Sequence, residues 1–462
     1  MRKTFVAAGL LFVSVLGTAC ASRYEARTTT LAPPPTMTIA DTTDAMVEAA
    51  WWRRFDDPVL DGLVEEAFSS NRDLQAAAAR YAAARELAGA AALLHMPIGG
   101  PSVGVSRQHL SVAEAGGDVP DRTSSFVHTG LGVGWEADLF GRLRGARRAA
   151  TADAGVAAMD VRGAQVAIVA QVASAYFELR GAQGDLALIQ GLQTRTREQL
   201  STTRTLVTAG RVTRLDLFRA QQVEDELEAG LSAASHRAER ARNRLATLTG
   251  KTPDALRVAD VGISSLRASA LTIGTPADLL RRRPDVAAAE LRVTAATARA
   301  GIARAELFPR VDVTGTVGLI AGSFGRLAEG AAGSWLIAPR LVWNAFDWPR
   351  LRREMRAAGA LADAAFADYE QTVLVALEEA RTAIDAYAAA NREFAALERR
   401  AQAAADAARV VFVQYREGYV DSLARTQAER DAIAGALDAN RALTAQRLAV
   451  VDVYRSLGGG WQ

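Results

Sequence analysis

Along most of this chain apolar positions recur every three or four residues, and in two places the spacing contracts to every second residue. The first period marks a helix with one buried stripe, the second a strand with one buried face. From about 53 to 95 the pattern is helical, with Asp57-Pro58 as a start signal and Asn71 to Asp73 as a break; Pro97, Gly99, Gly100 and Pro101 stop it. Val103 and Val105 then alternate, as do Val127, Leu131, Val133 and Trp135 beyond a polar loop at 114–121. This predicts a hairpin with strands at about 101–111 and 126–138. Residues from about 142 to 208 contain no proline and carry Val166, Ile168, Val169, Val172, Tyr176 and Leu179 at helical spacing. Such a helix extends on the order of 100 Å, too far for the inside of a globular domain. Gly210 interrupts it, Thr213 is placed to cap a second helix, and that helix runs to Gly250.

After a linker at 251–275 the programme repeats. A helix is expected from about Pro276 to Leu307, ended by Phe308-Pro309. Val311, Val313, Val317 and Leu319 alternate, the Gly-rich residues 321–333 turn the chain, and Trp335, Ile337, Leu341 and Trp343 alternate again. The second pair of strands therefore lies at about 309–320 and 334–346. A proline-free helix from about 350 to 417 breaks at Gly418 and resumes to about Leu457. Trp135 and Trp343, Arg142 and Arg350, Gly210 and Gly418, and Gly250 and Gly458 are each 208 residues apart, while Asp73 and Asp285, and Pro97 and Pro309, are 212 apart. One offset shared by a tryptophan and two glycine stops predicts an internal duplication, with repeats at 51–250 and 276–462 and a longer first hairpin loop.

Composition narrows the chemistry. Of 462 residues 50% are hydrophobic and 23% charged, with 54 Lys+Arg against 52 Asp+Glu, which excludes a disordered chain and a strongly basic nucleic-acid binder. The single cysteine, Cys20, excludes a disulfide framework and a Cys-based zinc site. His95, His109, His128 and His236 have no ligand-like spacing and read as surface or packing residues. No catalytic constellation stands out; the paired carboxylates Glu378-Glu379 read as a helix face, and no enzyme or cofactor is expected.

The N-terminus begins with Arg2 and Lys3, continues through an apolar run from Phe5 to Leu16 and ends Gly17-Thr18-Ala19-Cys20. This is an export signal over 1–19, its apolar core shorter than the ~20 residues of a membrane-spanning helix. The segment resembles a bacterial lipobox, although Leu16 sits one place early with Gly17 in its position. That resemblance implies cleavage before a diacylglyceryl-modified Cys20, and Ala21 in place of an aspartate implies the outer membrane. Residues 20–50, with their threonines and Pro33, Pro34 and Pro35, suit a lipidated extended tether.

Four strands cannot close a membrane barrel, whose smallest forms have about eight. Three chains would supply twelve, and Trp135, Trp335, Trp343 and Trp348 near strand ends suit membrane-interface aromatics. A soluble sandwich is disfavoured because Gly130, Gly132, Gly134, Gly315 and Gly318 supply little volume for a core. The fold expected is mainly α with a pair of β-hairpins per chain, the helices packing into a wall continuous with the barrel.

An ordered set of motifs resembles the TolC-like outer-membrane factors, more closely the NodT-type lipoproteins of efflux systems. The set comprises Trp52-Arg53-Arg54-Phe55 with Asp57-Pro58; Asn71-Arg72-Asp73-Leu74; Trp135 to Arg142; Tyr176 to Gly181; Leu279 to Asp285; Phe308-Pro309; Tyr415 with Gly418; and Leu457 to Trp461. The resemblance implies a homotrimer with a 12-stranded outer-membrane barrel and a periplasmic α-helical barrel. It implies as partners a periplasmic adaptor and an inner-membrane transporter of the RND type, with no nucleic acid. The narrow tip falls at the breaks near Gly210 and Gly418. Leu423 and Arg430 match gate positions there, and Gln427 stands where an aspartate is common, so a ring of amides replaces an anionic ring. Asp421, counted with them as a gate residue, and Asp216 and Arg425 are the nearby candidates for compensating charge, with ordinary helix-surface pairs as the alternative. The function implied is a passive exit duct for small solutes; a type I protein-secretion duct and a trimeric lipoprotein adhesin or spacer are the alternatives.

Overall fold

The structure, a computed structural model, describes residues 50–114, 117, 122–258 and 282–459. The export signal, Cys20 and the tether lie outside these residues, as do Leu279 to Arg281 and Trp461. After a short 3-10 turn at Trp51–Phe55 come α1 (Pro58–Ser70), α2 (Arg72–Leu93), β1 (Ile98–His109), β2 (Thr123–Ala137), α3 (Arg142–Thr208) and α4 (Arg214–Leu248). The order then recurs as α5 (Pro284–Ala305), β3 (Arg310–Ala321), β4 (Gly333–Val342), α6 (Trp348–Arg416) and α7 (Ser422–Ser456). The helix expected without interruption from Pro276 is broken among the described residues: Arg282 is helical, Arg283 is not, and α5 begins at Pro284, whose missing N–H suits a first turn. β1 opens at Ile98, three residues before its expected start, since Gly99 and Gly100 continue the ladder opposite Val133 and Gly132. β4 closes at Val342, where the sequence suggested 346, because Ala345–Asp347 form a 3-10 turn instead.

The chain divides into two compact units. Described residues of the first are Tyr81–Ala157 and Ala289–Tyr369; the second gathers those up to Arg80 with 158–288 and 370–459.

The first unit contains one antiparallel sheet in the order β1-β2-β3-β4. Its register sorts the side chains. Val103 faces Thr129, Thr129 faces Leu319, Leu131 faces Val317, and Val317 faces Trp335; Val313 faces Pro339 and Gly315 faces Ile337. These odd-numbered residues share one face, and Val103, Leu131, Val317, Trp335 and Ile337 are exposed on it. The even-numbered face presents Ser102, Gly130, Gly132, Gly134, Thr314, Thr316 and Ser334. Pro101 and Pro339 stand on the two outer strands, where a missing N–H breaks no ladder inside the sheet. Gly130 and Gly318 are paired so closely that a Cβ on Gly130 would come within 2.5 Å of the Val317 carbonyl oxygen.

The second unit is built on aromatic and aliphatic packing. Trp51 stacks on Tyr454 at 4.8 Å, Phe55 meets Phe177 at 4.8 Å, and Leu245, Val169 and Val451 are fully enclosed. The Asp57 side chain accepts from the Val59 and Leu60 N–H groups to cap α1 and also holds the buried Tyr176 hydroxyl. Asn71 caps α2 through its Oδ1, while its Nδ2 donates to the Leu248 carbonyl, 2.9 Å away. Arg283, 212 positions later, donates to the Ser456 carbonyl at 2.9 Å and binds Glu379 at 2.7 Å. Glu379 is therefore an ion-pair partner, a role its helix-face spacing did not suggest.

Candidate functional site

The turns between α3 and α4 and between α6 and α7, both in the second unit, are closed in the same way. Gly210 has φ 66° and Gly418 φ 79°, the left-handed conformation that a Cβ disfavours. The Arg211 N–H donates to the Leu206 carbonyl at 2.9 Å and the Tyr419 N–H to that of Gln414 at 2.8 Å, so each helix ends in a Schellman motif. Three residues after each glycine the next helix is capped. Thr213 and Asp216 form a reciprocal capping box, and Asp421 accepts from the Ala424 N–H at 2.8 Å. Asp421 is thus a helix cap.

Beyond these caps, side chains tie α7 to the helices beside it. Ser422 Oγ donates to Asp216 Oδ1 at 3.0 Å. The hydroxyl and N–H of Thr213, joined by Ser422, hold the Asp216 carboxyl below its ordinary pKa. Arg425 binds Glu429 at 2.9 Å and reaches Gln199 at 3.5 Å, its guanidinium lying over the rings of Phe412 and Tyr415 at 5.2 and 5.1 Å. Arg430 binds Glu226 on α4 at 2.5 Å, while Gln427 donates to Asp431 at 3.0 Å. Leu423, Gln427 and Arg430 fall on one face of α7 by their spacing; Leu423 and Gln427 are exposed and Arg430 is half-buried. Glu226 and Arg430 also line a groove of about 470 Å³, together with Ile189, Val223, Leu227 and Leu437. Farther along, Asn440 Nδ2 donates to Asp185 at 2.6 Å and to the Gly181 carbonyl at 2.8 Å; Arg237 meets the same buried carboxylate at 2.6 Å.

The sequence had marked Leu423, Gln427 and Arg430 but not Glu226, Gln199 or Asn440. Nothing local signals a partner 204 or more positions away. The sequence had placed Thr213 as a cap but not Asp216 as its reciprocal partner.

In the first unit, Trp135 and Trp343 sit at the end of the sheet where strands meet helices, and Trp335 lies at the turn end. Trp348 belongs to no strand: it opens α6, with the Arg352 guanidinium 5.2 Å from its ring. All four are exposed, and so are two aromatics the sequence reading passed over, Phe324 at the turn end and Phe346 at the helix end. No cluster of metal-ligating side chains occurs among the described residues.

The family of outer membrane efflux proteins matches this chain over residues 63–251 and 275–459. The probable efflux pump outer membrane protein SepC of Pseudomonas putida is 30% identical over 420 residues, 90% of this chain and 86% of that protein. Nodulation protein T of Rhizobium leguminosarum bv. trifolii is 29% identical over 386 residues, 82% of this chain and 81% of that protein. Among solved structures, the outer-membrane channel OprN aligns with a TM-score of 0.88 at 36% identity, across 96% of this chain and 100% of its own. The open state of the Neisseria gonorrhoeae MtrE outer membrane channel aligns at 0.84 with 27% identity, across 96% of this chain and 98% of its own. With both halves of the sequence matched and most of the chain covered, this protein belongs to the outer membrane efflux protein family.

Proposed function

We propose that the chain is the outer-membrane exit duct of an efflux pump, conducting small solutes passively from a periplasmic adaptor and an inner-membrane transporter to the exterior. The observation that carries this reading is the sheet. One face is mainly apolar and exposed, the other carries glycines, hydroxyls and a charged row among a few apolar residues, and the outer edges of β1 and β4 have no partner strand among the described residues. A sheet of that kind is stable in lipid only when closed, and three copies of four strands make a twelve-stranded barrel of ordinary size. The apolar face then meets lipid and the polar face lines the lumen, with Trp135, Trp343 and Trp348 at one interface and Trp335 at the other. The second half of the chain reads as a duplicate of the first.

At the tip, Leu423 and Gln427 face the lumen, and the Arg430–Glu226 pair tethers α7 in the closed state. Lipid on Cys20 anchors the mature N-terminus, and an RND transporter is the partner we favour. The energy comes from that transporter; the duct performs no reaction. Neither protein secretion nor an adhesin or spacer role finds support among the relatives, whose names include efflux pump components.

Single-channel conductance of the detergent-purified protein in a planar bilayer, with its native mass, tests the proposal. A trimer with small or flickering conductance that rises when the 418–430 region is loosened supports it. A protein of any mass that never conducts overturns it.

A further inference from the structure

The polar face of the sheet carries its ionised groups in one place. Glu136 lies opposite Asp312, and Asp312 opposite Arg340, so the three form one row across β2, β3 and β4. Their neighbours Trp135, Val313 and Pro339 stand on the apolar face, and strand alternation puts the row on the other. Arg310, on the same face, lies one position nearer the helices, opposite Val342. Toward the turns the next rows are Gly134–Thr314–Ala338, Gly132–Thr316–Leu336 and Gly130–Gly318–Ser334, to which β1 adds Ile98, Gly100 and Ser102. None of these is ionisable; the next such group on the face is His128, opposite Ile320.

Within the charged row the groups differ. Glu136 is matched by Arg142, which binds it through two nitrogens at 2.9 and 2.6 Å. Asp312 and Arg340 take part in no ion pair among the described residues. A charge on a low-dielectric wall whose next rows toward the turns are neutral acts on that part of the passage with little competition.

We infer that Asp312 and Arg340 set the charge preference of the strand-lined part of the duct, Asp312 drawing cations and Arg340 anions. This rests on the reading of the polar face as a lumen wall. Three copies would repeat the pair around the bore, with Arg310 adding a positive charge just inward.

The test places a reporter one row outward, at Thr314→Cys, and compares its reaction with a cationic and an anionic methanethiosulfonate reagent, read on the peptide bearing position 314. Adding Asp312→Asn should lower the cationic-to-anionic rate ratio by about threefold, and Arg340→Gln should raise it by about as much. Reversal potentials in a KCl gradient should move in the corresponding opposite directions. Asp312→Asn keeps side-chain shape, Arg340→Gln removes the charge and keeps a shorter polar side chain, and the double variant should return the ratio toward the parent's. A reactive position 314 whose ratio changes with neither variant, or moves the same way with both, overturns the inference and leaves the duct standing. A position 314 inert to both reagents, in a protein that passes no current, overturns the lumen reading as well.

Discussion

Trp135 and Trp343 make the same hydrogen bond: the indole N–H of Trp135 donates to the His95 carbonyl at 3.0 Å and that of Trp343 to the Leu307 carbonyl at 3.1 Å. Each ties the end of a strand to the residues that close the helix before the previous strand, so one indole braces a hairpin against its own entry. Trp343→Phe keeps most of the ring and removes the donor. It should destabilise the folded protein by about 0.5–1.5 kcal/mol, and Trp135→Phe by a similar amount, as read from thermal unfolding in detergent.

The glycines of β2 are not equivalent. A Cβ on Gly130 would meet backbone at 2.5 and 2.8 Å, whereas the nearest atom to a Cβ on Gly132 is a methyl of Thr316 at 4.0 Å. Gly130→Ala should therefore cost about 1–3 kcal/mol through forced backbone displacement, and Gly132→Ala should be near neutral. The resistance of the folded species to heat in detergent distinguishes the two.

Arg430 and Glu226 are both partly solvated, so their pair is worth at most about 1 kcal/mol. Arg430→Ala and Glu226→Gln should each raise mean conductance, and the double variant should add little to either single one. Leu423→Ala should raise it independently by removing bulk. Unchanged conductance in all of these would take the residues out of the gate.

Asp216 gives the turn between α3 and α4 a pH dependence of known sign. Its folded pKa lies below the ordinary value, so its contribution to stability is fully present above the unfolded pKa of about 3.9 and is lost as pH falls through the lower folded value. The stability difference between the parent and Asp216→Asn should be flat from pH 5 to pH 7, to within the roughly one-unit spread of carboxylate pKa values, and shrink in more acidic solution. A difference that grows on acidification would reverse the assignment.

Cys20→Ser should abolish incorporation of labelled fatty acid, because the thiol is the acceptor in the reading of residues 16–21 as a lipobox. Persistent labelling of the variant would remove that reading.

Helix limits were legible where backbone conformation dictates residue type. Gly210 and Gly418 mark the two turns because only glycine enters the left-handed region without penalty, and the observed helices end two residues before each. The start of β1 was misjudged because Gly99 and Gly100 are ambiguous, breaking a helix or bending a strand with equal ease. The alternation of β3 and β4 was readable in the sequence, but the pairing of β2 with β3 was not, since more than 170 residues separate Ala137 from Val311 and no turn connects them. On α7 the same limit applies: the face of Leu423, Gln427 and Arg430 follows from helical spacing, whereas Glu226 and Gln199 become partners only through tertiary packing.

The two glycine turns have a mechanical consequence. Each is closed by its own backbone and by caps from its own residues, with the Ser422–Asp216 hydrogen bond as the side-chain link reported between the two. A pull on α7 would break side-chain tethers at Ser422, Arg425 and Arg430 while leaving every turn hydrogen bond made. The hairpin then swings as a finished hook on an intact shaft. Closing again requires only that three side chains find their former partners, with no segment left to refold.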